Sequence, residues 1–168
     1  ASGSNSSRPH HHPGNRRLRK GDMVILDLGV LWKGYCSDIT RTVALGSCSD
    51  EMRNVYEVCL KGQKAALQGV RDGVAARKLD DIARGHLADA GLDEFFNHGL
   101  GHGVGLEIHE APSLNSRTAD VLKTNMAVTI EPGIYLPGKF GVRIEDLVLV
   151  GPTGPRVLSK SPKELRVV

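Results

Sequence analysis

Residues 23 to 44 run Met23-Val24-Ile25-Leu26-Asp27-Leu28-Gly29-Val30-Leu31-Trp32-Lys33-Gly34-Tyr35-Cys36-Ser37-Asp38-Ile39-Thr40-Arg41-Thr42-Val43-Ala44. Two runs rich in β-branched and aromatic residues, Met23–Trp32 and Tyr35–Ala44, flank Lys33-Gly34. That pattern predicts a β-hairpin with a two-residue turn, although Lys-Gly is a weaker turn signal than Asn-Gly. With the turn there, residue 27 faces residue 40, and Asp27 and Asp38 become diagonal neighbours on one face. Diagonal Cα positions lie roughly 7–8 Å apart, a reach at which two carboxylates can serve adjacent cations or share one. Both acids sit among Val24, Ile25, Leu26, Leu28, Ile39 and Val43. An acid set in such a strand is costly unless it is paired, hydrogen-bonded or metal-bound.

Downstream of the hairpin, Ser49 is placed as an amino-terminal helix cap, with Asp50 and Glu51 in the first turn. Met52, Val55, Tyr56, Cys59, Leu60, Ala66 and Leu67 follow at helical spacing. A second helix is predicted over Ala76–Ala90, ended by Gly91. After a Gly/His-rich segment at 98–109 come two further β-rich runs, Met126–Leu136 and Val142–Val150, joined by residues 137–141. No internal repeat is evident. The order hairpin, two helices, hairpin predicts an α+β fold, with helices on one side of a curved antiparallel sheet.

The 168 residues suit one domain with a sizeable core. Residues 1–20, rich in Ser, Pro, His and Arg, read as loop, and residues 21–168 as the domain. Net charge is only +3, and the short run Arg16, Arg17, Arg19 and Lys20 has no interleaved aromatic residues, which argues against nucleic acid as a partner. No segment has the length and apolarity of a membrane span or of a secretion signal. Cys36, Cys48 and Cys59 form no CxxC pair and read as buried free thiols, which suits a reducing, cytoplasmic setting.

The second hairpin repeats the acid pattern. Glu131 follows Val128-Thr129-Ile130, and Glu145 stands between Ile144 and the run Leu147–Val150. Any one of the four acids could face solvent on a half-exposed sheet. Four together, with a His-rich loop between the hairpins, point to convergence on a cation. That loop is Asn97-His98-Gly99-Leu100-Gly101-His102-Gly103-Val104-Gly105-Leu106-Glu107-Ile108-His109-Glu110. Its glycines permit close backbone approach, and its spacing is not that of a dinucleotide fingerprint. One imidazole with four carboxylates is a hard donor set that suits Mn²⁺, with zinc, cobalt and iron as alternatives.

Taken together, Asp27-Leu28-Gly29, Ser37-Asp38-Ile39-Thr40-Arg41-Thr42, His98-Gly99-Leu100-Gly101-His102, His109-Glu110-Ala111-Pro112, Ile130-Glu131-Pro132-Gly133 and Val142-Arg143-Ile144-Glu145-Asp146 are similar to the Xaa-Pro peptidases, aminopeptidase P and prolidase, of the pita-bread (creatinase/aminopeptidase-like) metallopeptidases. The carboxy-terminal Ser161-Pro162-Lys163-Glu164-Leu165 resembles that family's ending. The resemblance implies that Asp27 chelates one divalent ion, that His102 and Glu131 hold a second, and that Asp38 and Glu145 bridge them. It further implies a metal-acidified water as nucleophile and Glu131 as proton carrier. His98 and His109 match histidines that position substrate and stabilise the tetrahedral intermediate, and His10, seventeen residues before Asp27, matches a substrate-binding histidine. Arg143 matches a residue that orients a ligand carboxylate. The implied substrate is a peptide or dipeptide with proline second.

The family's catalytic domain carries further helices and a strand before the first hairpin, so the resemblance implies a partial catalytic domain that dimerises or associates with a missing fragment, where an exposed sheet edge would favour pairing. Methionine aminopeptidase, and a catalytically incompetent peptide-binding or interaction fragment of the same fold, are the competing readings. Arg143-Ile144-Glu145 and Glu131-Pro132-Gly133 resemble the Xaa-Pro branch more closely.

Overall fold

The computed structural model describes residues 1–168. Strands β1 (Met23–Trp32) and β2 (Tyr35–Ala44) form the first hairpin, in the register expected: Asp27 opposite Thr40, Asp38 opposite Gly29. Lys33 and Gly34 both take positive φ, 50° and 84°, the geometry of a type I′ turn. That turn matches the twist of the flanking strands, which is why a weak turn dipeptide still closes the hairpin.

Helix α1 (Asp50–Gly69) starts at the expected cap, where the Ser49 hydroxyl accepts from the Met52 N–H at 3.2 Å. Helix α2 (Ala76–Ala88) ends two residues earlier than the apolar pattern predicts, ahead of Gly91 at φ +66°. Strands β3 (Gly101–Gly103), β4 (Glu110–Leu114), β5 (Ala127–Ile130), β8 (Asp146–Val150) and β9 (Pro155–Val157) form an antiparallel sheet in the order β4-β3-β5-β8-β9. Strands β6 (Gly133–Leu136) and β7 (Phe140–Arg143) form a separate two-stranded ribbon. Ala66, Leu79 and Ala83 of the helices pack on Leu100, Val128, Ile130 and Val148, while Val55, Tyr56 and Cys59 pack on Met23, Ile134, Val142 and Ile144. No helix is long and apolar enough to cross a membrane.

Four further details depart from the sequence reading. The second hairpin is not continuous: pairing breaks between β5 and β6 and again between β7 and β8. Pro132 lacks an N–H and cannot extend the ladder, and the two breaks leave Glu131 and Glu145 outside strand pairing. The amino-terminal segment contains a 3₁₀ turn, Gly3–Ser7, held where Gly141 N–H donates to the Ser6 hydroxyl at 2.8 Å. Of the cysteines only Cys59 is buried; Cys36 lies on the half of the first hairpin that leaves the core. That half is also where Leu26, Leu28, Val30, Leu31 and Trp32 are exposed, so the apolar neighbours of Asp27 do not bury it.

Candidate metal centre

Five elements converge on one cavity of about 300 Å³ with no hydrophobic lining residue. Around it stand Asp27, Asp38, His102, Glu131 and Glu145, together with His10, His98, His109 and Arg143. All nine candidate site residues named from the sequence therefore reach the same space. Asp27 and Asp38 come from β1 and β2, His102 from β3, and the two glutamates from the strand breaks.

Donor atoms of Asp27, Asp38 and Glu145 lie within 4.8 Å of one another, as do those of His102, Glu131 and Glu145. Glu145 belongs to both groups. A third group joins Asp38, His102 and His109, the two rings meeting edge to face with centroids 4.2 Å apart. His102 Nε2 stands 3.1 Å from Glu131 Oε1 and 3.8 Å from Asp38 Oδ2. Its Nδ1 lies 3.0 Å from the Gly103 carbonyl, which can only accept, so the proton of the neutral ring sits on Nδ1. The Nε2 lone pair then points at two carboxylates, an arrangement that calls for a proton or a cation between them.

Glycine makes that geometry possible. A Cβ on Gly101 would meet the Thr129 carbonyl oxygen at 2.1 Å, and one on Gly103 would meet Ala111 O at 2.3 Å. Only bare backbone lets β3 lie this close to its neighbours.

The electrostatics are those of converging acids. Burial, then the charges of Glu131 and Asp38, push the Glu145 carboxyl up to about 8. Asp38 rises to about 6, again through burial first and then Asp27 and Glu131. Burial disfavours charge on both Glu131 and His102, but their mutual hydrogen bond wins, lowering the acid and raising the base. Glu145 Oε2 accepts from the Thr40 hydroxyl at 2.7 Å, whereas Oε1 is buried with no hydrogen-bond partner. An orphaned carboxylate oxygen between two donor groups fits a divalent cation, and the oxygen-rich donor set is of the hard type.

Arg143 is buried and donates to Asp27 Oδ2 at 2.6 Å, the Tyr135 hydroxyl at 2.9 Å, Thr40 Oγ1 at 3.2 Å and the Pro9 carbonyl. It thus fixes Asp27 and anchors the segment bearing His10. Three residues of this network escaped the sequence reading. Thr40 holds Glu145, Thr129 donates to Glu131 Oε1 at 3.1 Å, and Tyr135 links Arg143 to His98 Nε2 at 2.9 Å. Threonine and tyrosine are ordinary strand residues, so only proximity distinguishes these. The structure also alters the expectation for His98. Its Nδ1 donates to Gly99 O at 2.8 Å and its Nε2 receives the Tyr135 hydroxyl, so both ring nitrogens are engaged within the protein. Burial lowers its pKa, which keeps the ring neutral. His10 and His109 are exposed at the cavity.

The chain is 46% identical over 165 residues to the Xaa-Pro dipeptidase of Pyrococcus horikoshii, covering 98% of this chain and 47% of that protein. A dipeptidase structure from Pyrococcus horikoshii superposes with a TM-score of 0.98 at 48% identity, over 100% of this chain and 47% of the other. An X-Pro aminopeptidase structure from Thermotoga maritima gives 0.97 at 42% identity, over 100% and 48% respectively. The chain thus spans about half the length of these relatives and shares the pita-bread arrangement with them. Metallopeptidase family M24 matches residues 1–152. By sequence and by fold, the chain belongs to metallopeptidase family M24.

Proposed function

We propose that this chain carries the metal centre of a peptidase that cleaves the bond between an amino-terminal residue and a following proline. One observation carries the reading: two donor groups share Glu145, whose Oε1 is buried without a partner. The names of the relatives, Xaa-Pro dipeptidase and X-Pro aminopeptidase, supply the substrate class.

Asp27 would hold one divalent ion and His102 with Glu131 the other, with Asp38 and Glu145 shared between them. Bound ions would supply Lewis-acid activation of water and of the scissile carbonyl. Mn²⁺ is the proposed metal, because four of the five donors are carboxylates. Glu131 lies at hydrogen-bond distance from His102 and holds the proton-carrying position at the cavity wall. His109 and His10 face the substrate; His98 contributes through Tyr135, which it holds against Arg143. Residues 1–20 act as an arm that brings His10 to the domain formed by residues 21–168, fastened where Pro9 O accepts from Arg143.

The exposed Leu28, Val30, Leu31 and Trp32 favour association, with a second copy or with further polypeptide of the kind the longer relatives possess. Three free cysteines, two of them not buried, favour the cytoplasm.

The test is hydrolysis of an Xaa-Pro dipeptide, an Xaa-Pro tripeptide and Met-Ala-Ser by chelator-stripped chain resupplied with Mn²⁺. Mn²⁺-dependent release from an Xaa-Pro substrate is expected, falling by about 10²–10⁴ in Glu131→Gln, the usual range for loss of general acid–base catalysis. Release from Met-Ala-Ser alone would contradict the assignment.

A further inference from the structure

Behind the metal site lies a second cluster of buried charge. Asp146 is fully buried and sits between two cations, Arg41 Nη2 at 2.8 Å and Lys163 Nζ at 2.6 Å. Gln63, also fully buried, donates to Asp146 Oδ2 at 3.0 Å and accepts from Lys163 Nζ at 3.0 Å. Burying such a cluster costs desolvation, and well-packed apolar residues commonly stabilise a core as much or more. A buried ionic cluster is thus weak evidence of a stabilising role, and its backbone contacts point elsewhere.

Arg41 Nη1 donates to the Glu145 carbonyl and, at 2.9 Å, to that of Thr40, which in turn accepts the Glu145 N–H at 3.1 Å. Gln63 Nε2 reaches the carbonyl of Ile130, the residue before Glu131, and Ile130 is the register partner of Asp146. The cluster thus grips the main chain on both sides of the break that presents Glu131 and Glu145. The carboxy-terminal segment closes it: Arg41 donates to Pro162 O at 3.1 Å and Ser161 O at 2.8 Å, and Tyr56 donates to Lys163 O at 2.8 Å.

We propose that Arg41, Asp146 and Lys163, with Gln63, are positioning residues for the metal site, and that the segment Ser161–Lys163 is a working part of it. The strand break takes Glu131 and Glu145 out of the ladders, their N–H groups donating instead to Leu100 O at 2.8 Å and Thr40 O at 3.1 Å. The ionic cluster braces the carbonyls of Ile130 and Glu145 beside them. None of the four side chains is placed among the donors, so they act through the backbone of Glu145 and of Ile130, the neighbour of Glu131.

This inference rests on the metal-site reading, and the experiment separates the two. Mn²⁺ binding to the chelator-stripped 168-residue chain is measured by titration calorimetry and by the electron paramagnetic resonance of free Mn²⁺, well below the unfolding temperature. Lys163→Met is compared with Lys163→Arg, and Val70→Ala in the helical core serves as a control for simple destabilisation. The expected result is weakening of Mn²⁺ binding by about tenfold or more in Lys163→Met, the scale on which partners behind metal ligands act. Lys163→Arg should regain most of that loss, and Val70→Ala should bind as the wild type does. Arg41→Lys, which keeps the charge but loses the planar fork, should weaken binding likewise. Wild-type affinity in both Lys163→Met and Arg41→Lys, with only a lower melting temperature, would overturn the inference while leaving the metal site standing. A wild-type chain that takes up no Mn²⁺ would overturn the metal-site reading itself, and this inference with it.

Discussion

Glu145 concentrates the chemistry of the site in one side chain. It is buried, beside three other acids, and satisfied at only one oxygen. Its folded-state pKa of about 8 lies above the ordinary carboxyl value, and so does that of Asp38 at about 6. A raised acid pKa means that the folded metal-free chain holds protons the unfolded chain releases. Its stabilising contribution is full below the unfolded pKa of about 4.5 and is lost as pH rises towards about 8. Chelator-stripped chain should therefore melt at progressively lower temperature from about pH 5 to pH 8, and saturating Mn²⁺ should raise the melting temperature most at the upper end. Glu145→Gln removes the buried charge while keeping its shape. It should flatten that slope and stabilise the stripped chain at pH 8 by on the order of a few kcal/mol, while abolishing the stabilisation by Mn²⁺. A stripped wild-type chain whose melting temperature rises steadily over this range would contradict the assignment of Glu145.

Among the elements, the two hairpins behave differently, and the contrast explains what the sequence could disclose. In β1 and β2 the β-rich runs, the two-residue turn and the opposition of residues 27 and 40 were all legible, because register follows from turn position. In β5 to β8 the same reasoning predicts one continuous hairpin, whereas pairing stops beside Glu131 and Glu145. The acids were legible as misfits in apolar runs, but the break that displays them is contacted by Thr40, Arg41 and Gln63, each far away in sequence. Roles for Thr129 and Tyr135 were illegible for a related reason: a strand threonine or tyrosine carries no mark of what its hydroxyl will meet. The Gly-rich loop was legible in kind, since close approach is what glycines permit. Gly101→Ala would place a methyl 2.1 Å from Thr129 O, so β3 must move away from β5. The expected loss is about 1–3 kcal/mol in chemical denaturation, together with weakened Mn²⁺ binding through displacement of His102. Unchanged stability would show that β3 is not held as tightly as described.

Across the whole molecule, the candidate donors share one cavity while the tip of the first hairpin exposes apolar side chains. Leu31 and Trp32 are 67% and 71% exposed at the tip of the first hairpin, beyond the point where β1 leaves the core. A contiguous apolar tip of this kind favours association. Sedimentation velocity should show concentration-dependent self-association that Leu31→Ser with Trp32→Ser abolishes; a wild-type chain that stays monomeric on its own would leave further polypeptide, rather than a second copy, as the partner. Family and fold were legible because the motif residues are spread along nearly the full chain, whereas exposure at the tip depends on what else packs there, which no local pattern encodes. The central claim is that five side chains from separate elements hold two divalent ions with Glu145 shared. Anomalous diffraction from crystals of the chain grown with Mn²⁺ tests it most directly. Two peaks are predicted, one contacting Asp27, Asp38 and Glu145, the other contacting Asp38, His102, Glu131 and Glu145. No peak in the cavity, or Mn²⁺ bound only by the exposed histidines of the amino-terminal segment, would contradict the account.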